Sequence, residues 1–396
     1  MKGLASKMKN APWPGATSGY CSNVHAGSNL DETISNLKKY TLNVKQIVSP
    51  DEPMGVGLWL SAKSAHAISS EKRLPEFKDF LDENNLIPFT LNGFPYGDFH
   101  APVVKHKVYQ PDWTTNERFD YTIELAIILS QLIDEGAHAS ISTLPLGWPQ
   151  ESRQDWPYEQ AAKQLLTLAQ SLRILEEATG RYITIALEPE PGCLLDTAND
   201  VISFSNDHLL GKGNDGMVSR YLGVCHDICH SAVMFEGQNE TIKAYTAAGI
   251  QIFKVHVSSA VEVDFTALPD ESKATALKQL QSFHEPKYLH QTSIRKDDHT
   301  LFYEDLIDAI EAQDPSFVWR SHFHVPIYLE KMDLLRPTQN EIIEGIKAIK
   351  EHTDCNTFEI ETYAWGVLPK QLQVPDLAEG IAAELKWFKE TFSGSA

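Results

Sequence analysis

Four apolar, strand-like runs in this chain of 396 residues end in side chains that can bind a metal ion. In chain order these side chains are Glu188, Asp227, His256 and Glu361. Buried parallel strands of an α/β barrel end at one face, so this pattern predicts that all four meet at the barrel mouth. Three carboxylates and one imidazole form a hard ligand set. It suits one divalent ion, Mn²⁺, Mg²⁺, Co²⁺ or Zn²⁺.

Strand-like and helix-like segments alternate along the whole chain, in eight units. This alternation predicts an α/β fold, a (β/α)8 TIM barrel, as a single domain over residues 19–396 that follows a loose arm at 1–18. One block, 261–320, breaks the alternation. We predict that it is an insertion after strand seven that folds over the barrel mouth as a partial lid, because both of its ends lie at the site face.

Two assignments stay open on the sequence alone. Asp227 and His230 are three residues apart, so they could face one site, or Asp227 could simply cap a helix beside an unrelated histidine. The second concerns strand seven. The segment 322–326 could be that strand instead, and His324 would then replace His256 as the imidazole ligand; the even spacing from Asp227 favours His256.

Composition and charge exclude several classes of protein. The formal net charge of −20 would repel a phosphate backbone, which argues against a nucleic-acid partner. No apolar run approaches the roughly 18 residues of a membrane span, and the first 15 residues lack the apolar core of a signal peptide. The five cysteines show no disulfide framework, which favours a cytoplasmic location. The oligomeric state is not predictable from the sequence.

Several phrases of the chain resemble a known family. The ordered acid and histidine residues resemble the xylose isomerase-like, or sugar phosphate isomerase/epimerase, superfamily of TIM barrels. More narrowly, seven phrases resemble the metabolite traffic protein EboE group, and they run from residue 20 almost to the end: YCSNVHAG, TLNGFPYGDFH, ISTLPLG, ALEPEPGCLLDT, GVCHDICHSAV, HFHVPI and EIETYAW.

The superfamily resemblance implies a metal-dependent isomerase or epimerase that acts on a sugar, sugar phosphate or cyclitol. The reaction would be proton transfer through an enediolate, with the ion as Lewis acid. By the same resemblance, Glu188 and Glu361 are the acid/base pair, and His230 contacts the substrate. The expected partner is a small polyol or sugar.

A short first strand is predicted over 20–25, ending in Asn23 and His25. Other polar residues near predicted strand ends are candidates for substrate binding: His25, Asn92, Glu190, Lys254 and His324. Glu359 shares a face of strand eight with Glu361, one layer deeper, where its charge needs a partner; Lys254 could pair with Glu359 or with another inner acid. Aromatic residues could wall the pocket: Trp59, Phe94, Trp148, Tyr363 and Trp365.

Two other functions remain open. Hydrolysis of a small phosphoester would need more than one ion, with His25, Glu190, His230 and His324 as further ligands. The other is a barrel without catalytic activity that binds or carries a metabolite. An intact four-ligand set argues against it, because a carrier does not need a Lewis acid.

Overall fold

The computed structural model describes residues 11–149, 152–297 and 299–393. The strands in these ranges are β1 (Thr17–Cys21), β2 (Met54–Trp59), β3 (Leu86–Asn92), β4 (His138–Thr143), β5 (Tyr182–Leu187), β6 (Leu222–Asp227), β7 (Ile252–Val257), β8 (Val261–Asp264), β9 (Thr292–Lys296), β10 (His299–Tyr303), β11 (Val318–Ser321), β12 (Arg336–Pro337) and β13 (Thr357–Ile360). Strands β1 to β7 and β13 form a closed parallel barrel, in which β13 lies between β7 and β1. The predicted (β/α)8 barrel is confirmed.

Helices connect the barrel strands and cover the outside of the sheet. Their bounds in the described ranges are α1 (Leu30–Asn36), α2 (Leu42–Val48), α3 (Ala62–Ser69), α4 (Leu74–Glu83), α5 (Asn116–Leu132), α6 (Tyr158–Thr179), α7 (Ala198–Phe204), α8 (Asp215–Tyr221), α9 (Ile228–Val233), α10 (Gln238–Ala247), α11 (Asp270–Gln281), α12 (Leu306–Ala312), α13 (Gln339–His352) and α14 (Leu377–Phe392). Apolar side chains from the strands and the helices form one continuous buried cluster.

Local sequence signals explain where many helices begin and end. The side chains of Asn29, Ser61 and Thr115 accept a backbone N–H at the start of α1, α3 and α5. Gly180 ends α6 in the left-handed conformation, with φ of +67°. The short helix α8 was not predicted, and α9 was left open as the helix that Asp227 could cap, because six or seven residues are too few to show helical periodicity.

The first strand begins earlier than the sequence suggested. β1 starts at Thr17, so the last two residues of the predicted arm belong to the barrel. We predicted a first strand over 20–25, but Asn23 and His25 lie in and just after a 3₁₀ turn, Ser22–Val24. Residues 1–10 of the predicted arm lie outside the described residues.

The block that breaks the barrel pattern carries its own sheet. Its strand order is β10–β9–β11–β8–β12, all four pairs are antiparallel, and the sheet extends beyond the predicted end at residue 320 to β12. Residues 322–326 form no strand, whereas β7 pairs with both β6 and β13. The alternative register, with 322–326 as barrel strand seven, is therefore wrong.

None of the helices in the described ranges is both long enough and apolar enough to cross a bilayer.

Glu384 on α14 should make the free energy of unfolding depend on pH. Its buried Oε1 accepts hydrogen bonds from the Thr362 hydroxyl (2.6 Å) and the Ile327 N–H (3.1 Å). Burial raises the pKa of Glu384 from 4.5 to about 7. Between these values the folded protein keeps a proton that the unfolded chain has released, so stability falls as pH rises, by about 1.4 kcal/mol per pH unit.

Denaturant unfolding of the wild type and Glu384→Gln between pH 5 and pH 7 measures this contribution. The variant keeps an acceptor oxygen but cannot titrate, so its stability relative to the wild type should increase across the range. Parallel stability curves for the two proteins would contradict the assignment.

Candidate metal centre

The four predicted ligands converge at the carboxyl-terminal end of the barrel strands. Glu188 follows β5, Asp227 ends β6, His256 lies near the end of β7, and Glu361 follows β13. One ligand atom from each residue lies within 4.8 Å of the others, and all four side chains are buried. Side chains from four separate strands therefore surround one small space, as a chelating site requires.

A buried chain of charges beneath this space orients His256. Lys254 Nζ lies 2.5 Å from Glu359 Oε2, and the same oxygen lies 2.9 Å from His256 Nε2. His256 Nε2 can therefore donate to Glu359, which leaves Nδ1 facing Glu188 Oε1 (3.0 Å) and Glu361 Oε2 (3.1 Å). Burial alone would raise the pKa of Glu359, but Lys254 and His256 outweigh it and hold the value at about 2.

Gly57 on β2 makes room for Glu359. A Cβ atom at residue 57 would lie 1.5 Å from Glu359 Oε1, a position that no side chain can share with it. We expect Gly57→Ala to lower the free energy of unfolding by about 1–3 kcal/mol or more, because a fully packed barrel cannot expand around the clash.

Gly97→Ala is the matched control, since a Cβ at that position would meet no heavy atom within 4 Å. Thermal or denaturant unfolding of the two variants should separate them clearly. Equal stabilities would show that Glu359 can move away from β2 at no cost.

Asp227 caps a helix, which is one of the two readings that the sequence left open, and its side chain also lies among the four candidate ligands. Its Oδ1 caps α9 by accepting the His230 N–H (2.9 Å), and it also accepts the Ser258 hydroxyl (2.7 Å). Among the described residues, no hydrogen-bond partner meets its buried Oδ2 or the buried Oε2 of Glu188. Buried carboxylate oxygens without a partner are costly, and a cation would satisfy both. The donor set and these two oxygens therefore fit a divalent ion.

Two asparagine side chains hold Glu361 in place. Asn23 Nδ2 and Asn92 Nδ2 donate to Glu361 Oε1 over 2.7 and 2.9 Å. Asn92 was a predicted substrate ligand, and the structure places it both on the cavity wall and against Glu361. Asn23 was noted only as a strand-end residue, because nothing in its neighbourhood marked it as a partner of a residue so distant in sequence.

Glu190 is the centre of a further set of hydrogen-bonded polar side chains near the candidate ligands. Glu190 Oε1 accepts hydrogen bonds from the Tyr109 hydroxyl (2.7 Å) and Gln291 Nε2 (3.1 Å). Burial raises the pKa of Glu190 to about 7, against the opposing effect of His230. Gln291 Oε1 in turn accepts from His322 Nδ1 (2.8 Å). Sequence reasoning missed Tyr109, Gln291 and His322 as site residues, since they come from a long loop and the inserted block.

The remaining predicted substrate ligands have different surroundings. His230 lines the cavity and donates from Nδ1 to the Pro189 carbonyl (2.9 Å). His324 lies at the same barrel end and donates from Nδ1 to the Glu361 carbonyl (2.5 Å), just behind the cavity wall. Lys254 lies beneath the site rather than in the cavity, because its ammonium group neutralises Glu359.

His25 does not reach the cavity. Its ring stacks on Tyr40 with centroids 4.8 Å apart, and its Nε2 bonds the Tyr20 hydroxyl (2.9 Å). Burial, with a smaller effect of His100, lowers the pKa of His25 to about 3. These contacts are those of a packed histidine in the loop after β1.

The cavity above the ligands contains about 530 Å³ of space, part of it open to solvent. Of the aromatic residues that we expected to line it, Phe94 and Tyr363 do so. Trp59, Trp148 and Trp365 are not on its wall among the described residues; Trp148, for example, stacks on the outer side of Tyr109.

Comparisons with known proteins give structural similarities only. No family model and no curated protein matches the chain. Similar solved structures include an IolI protein with a bound zinc atom (13% identity, 96% of this chain and 98% of that one, TM-score 0.49). Others are a D-tagatose 3-epimerase-like protein (14%, 96% and 99%, 0.49) and a xylose isomerase domain protein from Alicyclobacillus acidocaldarius (10%, 95% and 98%, 0.47). At these identities and TM-scores, the fold assignment rests on the strand order of the chain itself.

Proposed function

We propose that this protein is a divalent-metal-dependent isomerase or epimerase of a small polyol, a sugar or a cyclitol. One observation carries the proposal: Glu188, Asp227, His256 and Glu361 converge within 4.8 Å, and two of their buried oxygens lack hydrogen-bond partners. Mn²⁺, Mg²⁺, Co²⁺ and Zn²⁺ all suit this ligand set, and the identity of the ligands does not select one of these ions over the others.

A bound ion would act as a Lewis acid that polarises a substrate carbonyl, and this would lower the pKa of the C–H group on the adjacent carbon. The protein supplies the proton transfer. Glu188 and Glu361 come from strands β5 and β13, which are well separated around the barrel, so they approach a bound substrate from different directions. Glu361 is fixed through Oε1 by its two asparagine donors, whereas Glu188 Oε2 has no partner.

We therefore assign to Glu188 the removal of a proton from the carbon next to the carbonyl, which leaves Glu188 protonated. A protonated Glu361 would deliver a different proton to carbon and become a carboxylate, and proton exchange with solvent would restore both groups. A positioned carboxylate contributes typically about 10²–10⁴-fold to such a step. His230 and Glu190 also line the cavity, where they can hold substrate hydroxyls.

Deuterium exchange from solvent tests the reaction. The metal-loaded protein is incubated in D₂O with a panel of ketoses, aldoses and inososes, and mass spectrometry follows exchange at carbon. We expect exchange with at least one compound, its loss on chelation, and its loss in Glu188→Gln. The exposed Glu177→Gln on α6 is the matched control and should retain full exchange. No exchange with a compound that binds would contradict the proposal.

One observation favours a second candidate, the hydrolysis of a small phosphoester with more than one ion. His322 Nδ1 faces an acceptor, Gln291 Oε1, and His324 Nδ1 faces the Glu361 carbonyl. Both Nδ1 atoms therefore donate, and in neutral rings the two Nε2 atoms, 3.2 Å apart, carry facing lone pairs. A cation between them, with Cys229 or His230 nearby, would relieve this contact. Two ions per chain, reduced to one in His322→Ala, would favour the hydrolase.

The third candidate is a barrel that carries a metabolite without reaction. The sequence phrases that resemble the EboE group support this proposal. For each of the three candidates we also propose a cytoplasmic location. Tight binding of a polyol without exchange, with or without the ion, would favour this carrier.

A further inference from the structure

The cavity has a polar floor and an apolar wall of different origin. The floor lies at the barrel strand ends and includes the carboxylates of Glu188 and Glu361 with the Asn92 amide. The wall comes from the loop after β3 and from the inserted block. Its apolar side chains are Phe94, Phe99, Val104, Val108, Tyr288 and Leu289.

Part of the wall forms a small apolar cluster beside the main core. Phe99, Val104 and Tyr288 form this buried group with Trp59, whereas Phe94 and Leu289 belong to the main core and Val108 packs against both. The rings of Phe99 and Tyr288 lie 5.2 Å apart, and both pack on Tyr363 within 5.3 Å. The two segments therefore meet at the cavity through aromatic contacts, and hydrogen bonds from the Val104 and Lys105 N–H groups to the Lys287 carbonyl (2.8 and 3.1 Å) also join them.

The polar groups near this wall are already engaged within the protein. The Tyr288 hydroxyl donates to the Phe99 carbonyl (3.2 Å), which leaves the ring face for the cavity. Lys105 lines the cavity, but its Nζ pairs with Asp305 Oδ2 over 2.7 Å. A free sugar carries hydroxyl groups on every side, and those that faced this wall would lose water without gaining a partner.

We propose that the substrate is amphiphilic: a polyol head that binds the floor and an uncharged apolar substituent that lies against this wall. The head group rests on the proposed function, since the floor holds the candidate metal ligands. The substituent rests on the wall alone. A chain of several methylenes or an aryl group fits the apolar chemistry of the wall, whereas a charged substituent such as a phosphate or a carboxylate does not.

A series of vicinal diols tests the proposal, because each carries two adjacent hydroxyls and a tail of chosen length. Calorimetry would measure the binding of 1,2-propanediol, 1,2-butanediol, 1,2-hexanediol and 1,2-octanediol. We expect the Kd to fall by about twofold to fourfold per added methylene until the wall is covered, since partial to full burial of each methylene sets that range. A flat series, or no binding of the octanediol, would overturn the proposal.

Two matched variants on one loop locate the tail. Val108 lines the cavity, whereas Val103 is 45% exposed and does not. Val108→Asn should flatten the dependence on chain length, and Val103→Asn should preserve it. The same slope in Val108→Asn and wild type would contradict this wall as the binding surface.

Metal content measured on the same samples separates this inference from the proposed function. A chain-length dependence in a protein that binds no ion would contradict the metal-dependent reaction and would still support the wall as the binding surface for the tail. A metal-loaded protein with a flat diol series would sink the amphiphilic substrate alone.

Discussion

Replacing Lys254 by methionine should lower the free energy of unfolding by about 3–5 kcal/mol, because it leaves Glu359 as a buried charge without its main partner. Lys254 is fully buried, and its ammonium group contacts Glu359 Oε2 (2.5 Å) and the Ser142 hydroxyl (3.3 Å). Methionine fills a similar volume, so the loss would report the missing charge rather than a cavity.

The double variant Lys254→Met/Glu359→Gln should recover part of this stability, since it removes the unpaired charge as well. Lys63→Met on the exposed side of α3 is the control and should stay within about 0.5 kcal/mol of the wild type. Denaturant unfolding at one pH measures all four proteins. A Lys254→Met protein as stable as its control would show that Glu359 does not depend on this lysine.

The second large effect concerns the affinity for the divalent ion. Glu361→Gln removes a charged ligand. It should weaken binding by more than about 100-fold, because loss of a residue that only hydrogen-bonds to a ligand already costs up to about 100-fold. Asn92→Ala removes only one of the two donors that hold Glu361 and should weaken binding by about 10–100-fold. The exposed Glu83→Gln at the end of α4 should bind as the wild type does.

Competition with a chelating metal indicator gives these affinities. The ordering is the test: the loss in Glu361→Gln should exceed that in Asn92→Ala. An unchanged affinity in Glu361→Gln would remove this residue from the ligand set, whatever the protein does catalytically.

The sequence predicted the barrel and the four candidate ligands because both follow from short-range patterns. Apolar runs that end in Glu188, Asp227 and His256 reveal buried strands and the polar residues at their ends, and regular spacing orders them around a barrel. The same reasoning placed Glu359 one layer below Glu361 and left Lys254 to pair with it or with another inner acid; in the structure Lys254 pairs with Glu359.

The residues that were missed depend on contacts between distant parts of the chain. Asn23 and Gln291 show no local pattern, and only the closed barrel brings one to Glu361 and the other to Glu190. His25 was placed at a strand end because the first strand was predicted over 20–25, whereas β1 ends at Cys21. Gly57 looked like an ordinary strand glycine, although its missing side chain is the space that Glu359 fills.

An anomalous difference map from crystals grown with Mn²⁺ tests the central claim most directly. We expect a peak about 2.0–2.4 Å from His256 Nδ1 and from carboxylate oxygens of Glu188, Asp227 and Glu361. A map with no peak among these four residues, or with its only peak between His322 and His324, would contradict it.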